Sequence, residues 1–268
     1  AGAFDSLDDH RHRLLASVGV ALDAAEQAER NAHQSGLFDL GEPGRPPQVD
    51  YLEAPPWGER ERLLQEKQSL GFFLSGHPYN EYAAEVATFV KRRLAKLEPQ
   101  REPVLMAGVV VSTRTQMTRR GKMAVVMLDD ATTQLEVSVF NELWEAERAK
   151  IREDELLLVE GKVQRDDYSG GLRVTADRLM TLGEARARYA KMLRLAMNGG
   201  TVQGDARRLQ AVLAPYRNGA CPVRLAYRNG EAEAEIPLPE AWRVRLDDEL
   251  LEALGEWLSP ANVKVIYA

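Results

Sequence analysis

At 268 residues, with 44% hydrophobic and 28% charged side chains, the chain has room for two or three folded domains and the composition of an ordinary soluble globular protein. Its net charge of −6 is unevenly placed: residues 1–60 carry 5 basic and 11 acidic side chains, which argues against that end gripping nucleic acid by bulk electrostatics. The lone cysteine, Cys221, excludes an intrachain disulfide, and no run approaches the roughly 20 apolar residues of a membrane span or the pattern of a signal peptide, so a cytoplasmic setting is expected.

The opening residues AGAFDSL read as the end of an element that starts upstream, so the chain is expected to be part of something longer. Ser6 is placed to cap a helix, with Asp8 and Asp9 in its first turn. Leu14, Val18, Leu22 and Ala25 recur at helical spacing and carry that helix to about Ala32. His10 and His12 stand two apart on it and point to different faces, a poor arrangement for a metal; His33 lies at its end. Gln34-Ser35-Gly36-Leu37-Phe38 follows, just ahead of GEPGRPP, which cannot be regular structure. Two adjacent large apolar side chains in such a connector suggest a short peptide that docks in a partner's pocket, with Gln34 as a hydrogen-bonding anchor. The alternative is that Phe38 folds back on its own domain.

Trp57 to Leu70 reads as a helix with Leu63, Leu64 and Leu70 inward. Gly71, Gly76 and Pro78 break LGFFLSGHPYNEY into a tight apolar corner, where His77 precedes a proline and is structural. A helix from Asn80 to Val90 comes next. Lys91, Arg92, Arg93 and Lys96 form the densest basic run of the chain, either a solvated helix end or a phosphate contact.

Residues 103–182 read as five strands with a helix after the third. The first, Val104 to Thr113, has Gly108 in its middle, a mark of a bend or bulge. A polar loop, Arg114 to Arg120, leads through Gly121 to a second strand, Met123 to Leu128. In the third, Leu135, Val137 and Val139 alternate with Glu136, Ser138 and Phe140. Asn141 is placed to cap a helix over Glu142 to Lys150. Glu155 to Val163 is the fourth strand, DDYSGG a turn, and Leu172, Val174 and Ala176 set the inward side of the fifth. This order is that of an OB-fold, a small Greek-key barrel whose middle strands and loops bind oligonucleotides. The two expected loops hold Arg114, Arg119, Arg120 and Lys122, then Arg165, Tyr168 and Arg173; with Phe140 these are the candidate contacts to single-stranded DNA. Against this, residues 103–182 carry 11 Lys and Arg and 13 Asp and Glu, so a barrel that binds only protein stays open.

Glu184 to Lys191 reads as a helical connector. Then follow a strand (Met192 to Met197), a helix (Gln203 to Tyr216) and a strand (Pro222 to Arg228). Asn229-Gly230 is a strong hairpin signal and leads to a strand over Glu231 to Ile236. A short extended piece, Trp242 to Leu246, precedes a helix with Leu250, Leu251, Leu254 and Leu258 on one side, and Val263 to Tyr267 is a last strand. This is a split βαβ arrangement. Trp257 and the apolar VKVIY make the last strand either internal to a sheet or a docking surface.

Together these segments resemble the C-terminal region of the alpha subunit of bacterial DNA polymerase III, the replicative polymerase, nearly end to end. The specific stretches are AGAFDSL, QSGLF, LGFFLSGHP, TRRGKMAVVMLDD, DDYSGGLRVTA and the WRV of Trp242 to Val244. The resemblance implies a multidomain α+β chain. Residues 1–33 would end a helix–hairpin–helix DNA-binding region, and residues 34–56 would hold the clamp-binding motif and a linker. Residues 57–102 would be a helical connector, 103–182 the OB domain beside single-stranded template, and 183–268 a small α+β domain that binds the tau subunit of the clamp loader. Gln34, Ser35, Gly36, Leu37 and Phe38 fall on the motif that enters a pocket of the sliding clamp (the beta subunit), with Gly36 smaller than the motif usually has. Trp242, Leu250, Leu254, Trp257, Val265 and Tyr267 would meet tau. The carboxylates that hold magnesium lie far upstream in this family. So no catalytic residue, metal or cofactor is expected here, and Asp129-Asp130 and Asp166-Asp167, as strand neighbours, point to opposite faces. A nuclease or a tRNA-synthetase part is the enzyme alternative, but no clustered histidines, metal-spaced cysteines, P-loop or nucleophile motif support it.

Overall fold

A computed structural model describes residues 2–32, 50–118, 121–166, 170–198, 205–228 and 232–267. The chain divides into two compact units, Ala1–His77 and Pro78–Ala268, which are taken separately. The division falls inside the stretch read from sequence as one connector, 57–102.

The first unit holds helices α1 (Arg11–Ala32) and α2 (Glu59–Leu70). Helix α1 begins later than a Ser6 cap predicts. Ser6 sits in a turn, and Asp8 accepts the His10 amide at 2.8 Å just ahead of the helix. Helix α2 ends at Gly71, whose φ of 84° suits glycine and whose amide reaches the Lys67 carbonyl at 2.7 Å. Of the three leucines expected inward on α2, Leu63 is buried, whereas Leu64 and Leu70 are 39% and 40% exposed. The corner after α2 is organised by a charge. Glu66 is buried and accepts from the amides of Leu74 and Ser75 at 2.8 Å each and from Arg11 at 3.0 Å. Burial opposes its ionisation, but the Ser75 and Leu74 bonds and Arg11 outweigh it and hold the carboxyl at about 2, below its ordinary 4.5.

The second unit opens with α3 (Asn80–Val86), which stops a turn short of the expected Val90. Strands β1 (Val104–Thr118), β2 (Gly121–Asp129), β3 (Gln134–Phe140), β4 (Leu156–Arg165) and β5 (Leu172–Met180) close a barrel in the order β1-β2-β3-β5-β4. The inward set is the alternating apolar one. Val110, Val126, Leu128, Val137, Val139, Val159 and Val174 are all buried, and α4 (Asn141–Glu147) lays Leu143 and Trp144 against them. Three expectations are corrected. The first strand does not stop at Thr113 but runs to Thr118, so Arg114 stands on a strand and not in a loop. Its bulge falls between Val110 and Ser112. Gly108 is there for close approach, since a Cβ would meet Leu128 Cβ at 2.9 Å and the Asp129 amide nitrogen at 3.0 Å. Asn141 is the first residue of its helix, whose N-cap is Phe140 with no side-chain bond.

Helix α5 (Leu182–Tyr189) opens with a capping box: the Glu184 amide donates to Thr181 Oγ1, and the Thr181 amide donates to the Glu184 carboxylate. Then come β6 (Ala190–Asn198), α6 (Asp205–Leu213), β7 (Arg217–Cys221), β8 (Val223–Arg228), β9 (Glu233–Pro237), α7 (Asp248–Leu258) and β10 (Val263–Tyr267). The sheet order is β10-β6-β8-β9. Strands β6 and β8 run parallel with α6 as their crossover, and the other pairs are antiparallel. Strand β7, not expected from sequence, bridges Val244. Leu193, Leu195, Leu213, Val223, Leu250 and Leu254 form the domain's core. The last strand is an edge strand, not an internal one.

A charged knot fastens this domain to the barrel's flanking segments. Arg186 of α5 is buried and donates twice to Glu85 of α3, at 2.7 and 2.8 Å. It also donates to Asp248, which opens α7, at 2.5 Å and to the Leu246 carbonyl at 3.3 Å. Tyr267 of β10 donates its hydroxyl to the same Glu85. The guanidinium's planar fork suits such bidentate pairing.

Candidate nucleic-acid interface

Residues opposed across a ladder share a face, so the strand registers define the barrel's outer surface. One row runs Arg114–Val125–Ser138 across β1, β2 and β3, then through Thr175 of β5 to Lys162 of β4; Val125 within it is buried, so the accessible groups are the polar ones on either side. A neighbouring row places Gln116, Met123 and Phe140 side by side. Arg173 pairs with Gln164 on the same outer side as Thr175 and Lys162. Arg165 and Arg173 are exposed. Arg114, Lys162 and Arg173 thus share the outer side with the half-buried Phe140, whereas Arg165, paired with Leu172, alternates to the other side; cations and an aromatic on one side can meet phosphates and stack a base.

Not every candidate takes that place. Lys122 alternates with Met123 and so points away from the outer row; its ammonium lies 5.8 Å from the Trp144 ring. Arg114 is engaged by Glu136 at 2.6 Å, both exposed, so it is available to a phosphate only by exchange. Arg119, Arg120 and Tyr168 lie outside the described residues, as do Gln34, Ser35, Gly36, Leu37 and Phe38, and Asp167. Lys162 and Met123 were missed in the sequence; the alternation of β4 and β2 was the signal that could have placed them.

The acidic and basic groups next to the barrel have structural work. Asp130 is buried and accepts from Arg93 at 2.8 Å, the Leu94 amide at 2.9 Å and the Thr132 hydroxyl at 2.5 Å. Burial raises its pKa, but these bonds outweigh that and keep it below the ordinary carboxylate value. Arg93 also covers the Tyr79 ring at 4.6 Å. The central arginine of the basic run is therefore a strut, and Arg92 is paired with Glu98 at 3.1 Å, which leaves Lys91 and Lys96 as the exposed cations there. Asp129 accepts from the Ala131 amide and Gln134. Among the described residues one group, Asp8, Asp9 and His10, has metal-ligand spacing. Its carboxylates are taken up by the His10 ring at 2.7 and 2.8 Å. Cys221 is buried, which pushes its thiol up to about 11, far from a reactive thiolate.

The DNA polymerase III subunit alpha, C-terminal domain family matches residues 208–258, and the OB-fold nucleic acid binding domain family matches residues 104–182. DNA polymerase III subunit alpha of Neisseria meningitidis serogroup A is 40% identical over 98% of this chain. The subunits of Pseudomonas aeruginosa and Escherichia coli K12 are each 36% identical, over 100% and 99% of the chain. The chain belongs to the DNA polymerase III alpha subunits, as a C-terminal region. It spans 23% to 24% of the length of these relatives.

Within that family frame, the residues expected to meet tau divide sharply. Leu250 and Leu254 are fully buried in the domain core and cannot touch a partner without unfolding it, so they are corrected to core residues. Val265 is half-buried against the same core. Tyr267 is tied to Glu85 and packs on Phe89, ring centres 5.1 Å apart. Trp242 and Trp257 remain partly accessible, each under an arginine: Arg217 at 4.5 Å and Arg208 at 5.1 Å. Trp242 also walls an apolar cavity of ≈ 520 Å³ with Leu209, Leu213, Tyr227 and Ile236. Hydrophobic periodicity reports both core and docking leucines alike, which is why the sequence did not separate them.

Proposed function

We propose that this chain is the non-catalytic, assembling part of a replicative polymerase alpha subunit. Its barrel contacts single-stranded template, residues 34–38 engage the sliding clamp, and residues 183–268 hold the clamp-loader tau subunit. The observation that carries the DNA reading is the outer barrel row, Arg114–Val125–Ser138–Thr175–Lys162, with Phe140 and Met123 in the next row and Arg173 beside it. The barrel's slight acidic excess means that binding depends on these local cations and falls steeply with salt. In a titration of a thymidine oligonucleotide, Lys162→Ala with Arg173→Ala weakens binding about tenfold and lowers the salt slope by about two. Unchanged affinity and slope refute the assignment. The ion pair of Arg114 with Glu136 favours a second reading, a barrel used only for protein assembly; it predicts no binding at any salt.

Clamp engagement is tested by Gln34→Ala with Leu37→Ala and Phe38→Ala, which abolishes binding to purified clamp while leaving folding intact. Tethering of this kind raises effective concentration without altering the chemistry. We read the chain as having no polymerase activity and no cofactor of its own, magnesium belonging to the family's palm. The carboxylates of Asp129 and Asp130 are committed to local bonds, which supports this. Nucleotide incorporation by the pure chain would sink it. Among the described residues no helix is long and apolar enough to cross a membrane, which is compatible with work in the cytoplasm.

A further inference from the structure

We infer that the free edge of β10 is a docking site for an extended peptide segment in which apolar residues alternate with lysine or arginine. The inference rests on the reading of residues 183–268 as a docking domain and names the chemistry of the segment that docks. Among the described residues, strand β10 pairs with β6 on one side only. Its other side is a row of backbone donors and acceptors, the template on which a further strand adds. Most proteins blunt such an edge. Here a groove of ≈ 1210 Å³ runs beside it. Val263, Val265 and Tyr267 point to one face of the sheet and Lys264 to the other, yet all four line the groove. It therefore follows the strand's edge and not either face.

The walls set the charge of the occupant. Helix α3 supplies Glu81 and Glu85, and α7 supplies Glu252 and Glu256. Each pair is four residues apart and so lies on one helix face. Glu85 is held by Arg186 and Tyr267. Glu81, Glu252 and Glu256 are exposed and have no cationic partner among the described residues. Lys264 alone opposes them in the groove. Leu251, Pro260, Val263 and Val265 give an apolar floor. An occupant that satisfies all three features offers a backbone edge, apolar side chains on one side and cations on the other. That is an added β-strand, and the five residues of β10 give it a footprint of about 17 Å. Nucleic acid, being anionic, is repelled by the same walls.

The probe is a fluorescent peptide of about seven residues alternating valine and lysine, titrated into the whole chain by anisotropy. The parent peptide binds, and its glutamate counterpart does not. Glu252→Lys with Glu256→Lys, both on the exposed side of α7 and outside the core, weakens binding at least about tenfold. Two N-methylated versions, blocked on alternate backbone nitrogens in opposite registers, separate edge pairing from simple charge attraction: one loses binding and the other keeps it. No binding by the parent, equal binding by both methylated versions, or indifference to the double substitution overturns the proposal. Purified tau is run in parallel. Tau bound equally by wild type and double variant, with the peptide unbound, removes the groove but keeps the docking domain. Peptide bound and tau unbound removes the tau reading and keeps the groove.

Discussion

The two units of this chain solve the same physical problem in opposite ways. Residues 78–268 hold all three hydrophobic clusters of the described structure. Among the described residues of 1–77, Leu63 is the one buried hydrophobic side chain, and the other buried groups there are Ser17 and Glu66. Among the described residues, eleven large apolar side chains of that unit are exposed, from Phe4, Leu15, Val18 and Leu22 on one stretch to Phe72 and Leu74 on another, against three in the second unit. The lesson is that a long helix and a capped corner can be specified by local bonds and one buried carboxylate, without a core of their own. Such a unit has its apolar surface left over for other protein surfaces, whereas the second unit spends its own on its two folds and leaves polar and charged faces outside.

The contrast is open to breaking. The largest effect is expected in the second core: Leu254→Ala destabilises it by about 4 kcal/mol through lost burial and a cavity, read as an early loss of Trp242 and Trp257 fluorescence in urea. Arg186→Ala comes next, at about 3 kcal/mol, because it strands Glu85 and Asp248 without their shared cation. In the first unit the buried charge is the element to attack. Glu66→Gln removes charge-assisted bonds worth about 2 kcal/mol together, with Trp57 as the reporter. Glu66 also gives that unit an acid sensitivity. Its folded pKa of about 2 lies below the ordinary 4.5, so its contribution is complete above 4.5 and drains away as pH falls from there towards 2. A Trp57 transition that is flat over that window contradicts the assignment. The smallest effect belongs to the exposed helix face: Leu15→Ala with Leu22→Ala changes stability by less than about 0.5 kcal/mol. A loss as large as that of Leu254→Ala would erase the contrast.

Much of the barrel was legible because one face is wet and the other dry. Leu135, Val137 and Val139 could only point one way, and the register followed. The end of β1 was not legible for the converse reason. Arg114 to Thr118 has a single apolar side chain, the exposed Met117, so alternation carries no signal, and a hairpin arm reads as a loop. Strand β7 failed likewise: RNGAC has no large apolar side chain to alternate with Cys221. Leu64 and Leu70 matched helical periodicity, but periodicity does not say whether a neighbour exists to cover them. The Arg93–Asp130 strut joins residues 37 apart in sequence, and the Arg186–Glu85 knot residues 101 apart. Neither spacing leaves a local mark, so nothing in the basic run shows that its half-buried central arginine is committed to a buried carboxylate.

Hydrogen exchange of the whole chain, with and without a thymidine oligonucleotide at low salt, tests the central claim most directly. Added protection is expected along β1 to β3 and the β4–β5 pair, with no change in α1 or α2. Protection that appears in α1, or nowhere in the barrel, contradicts it.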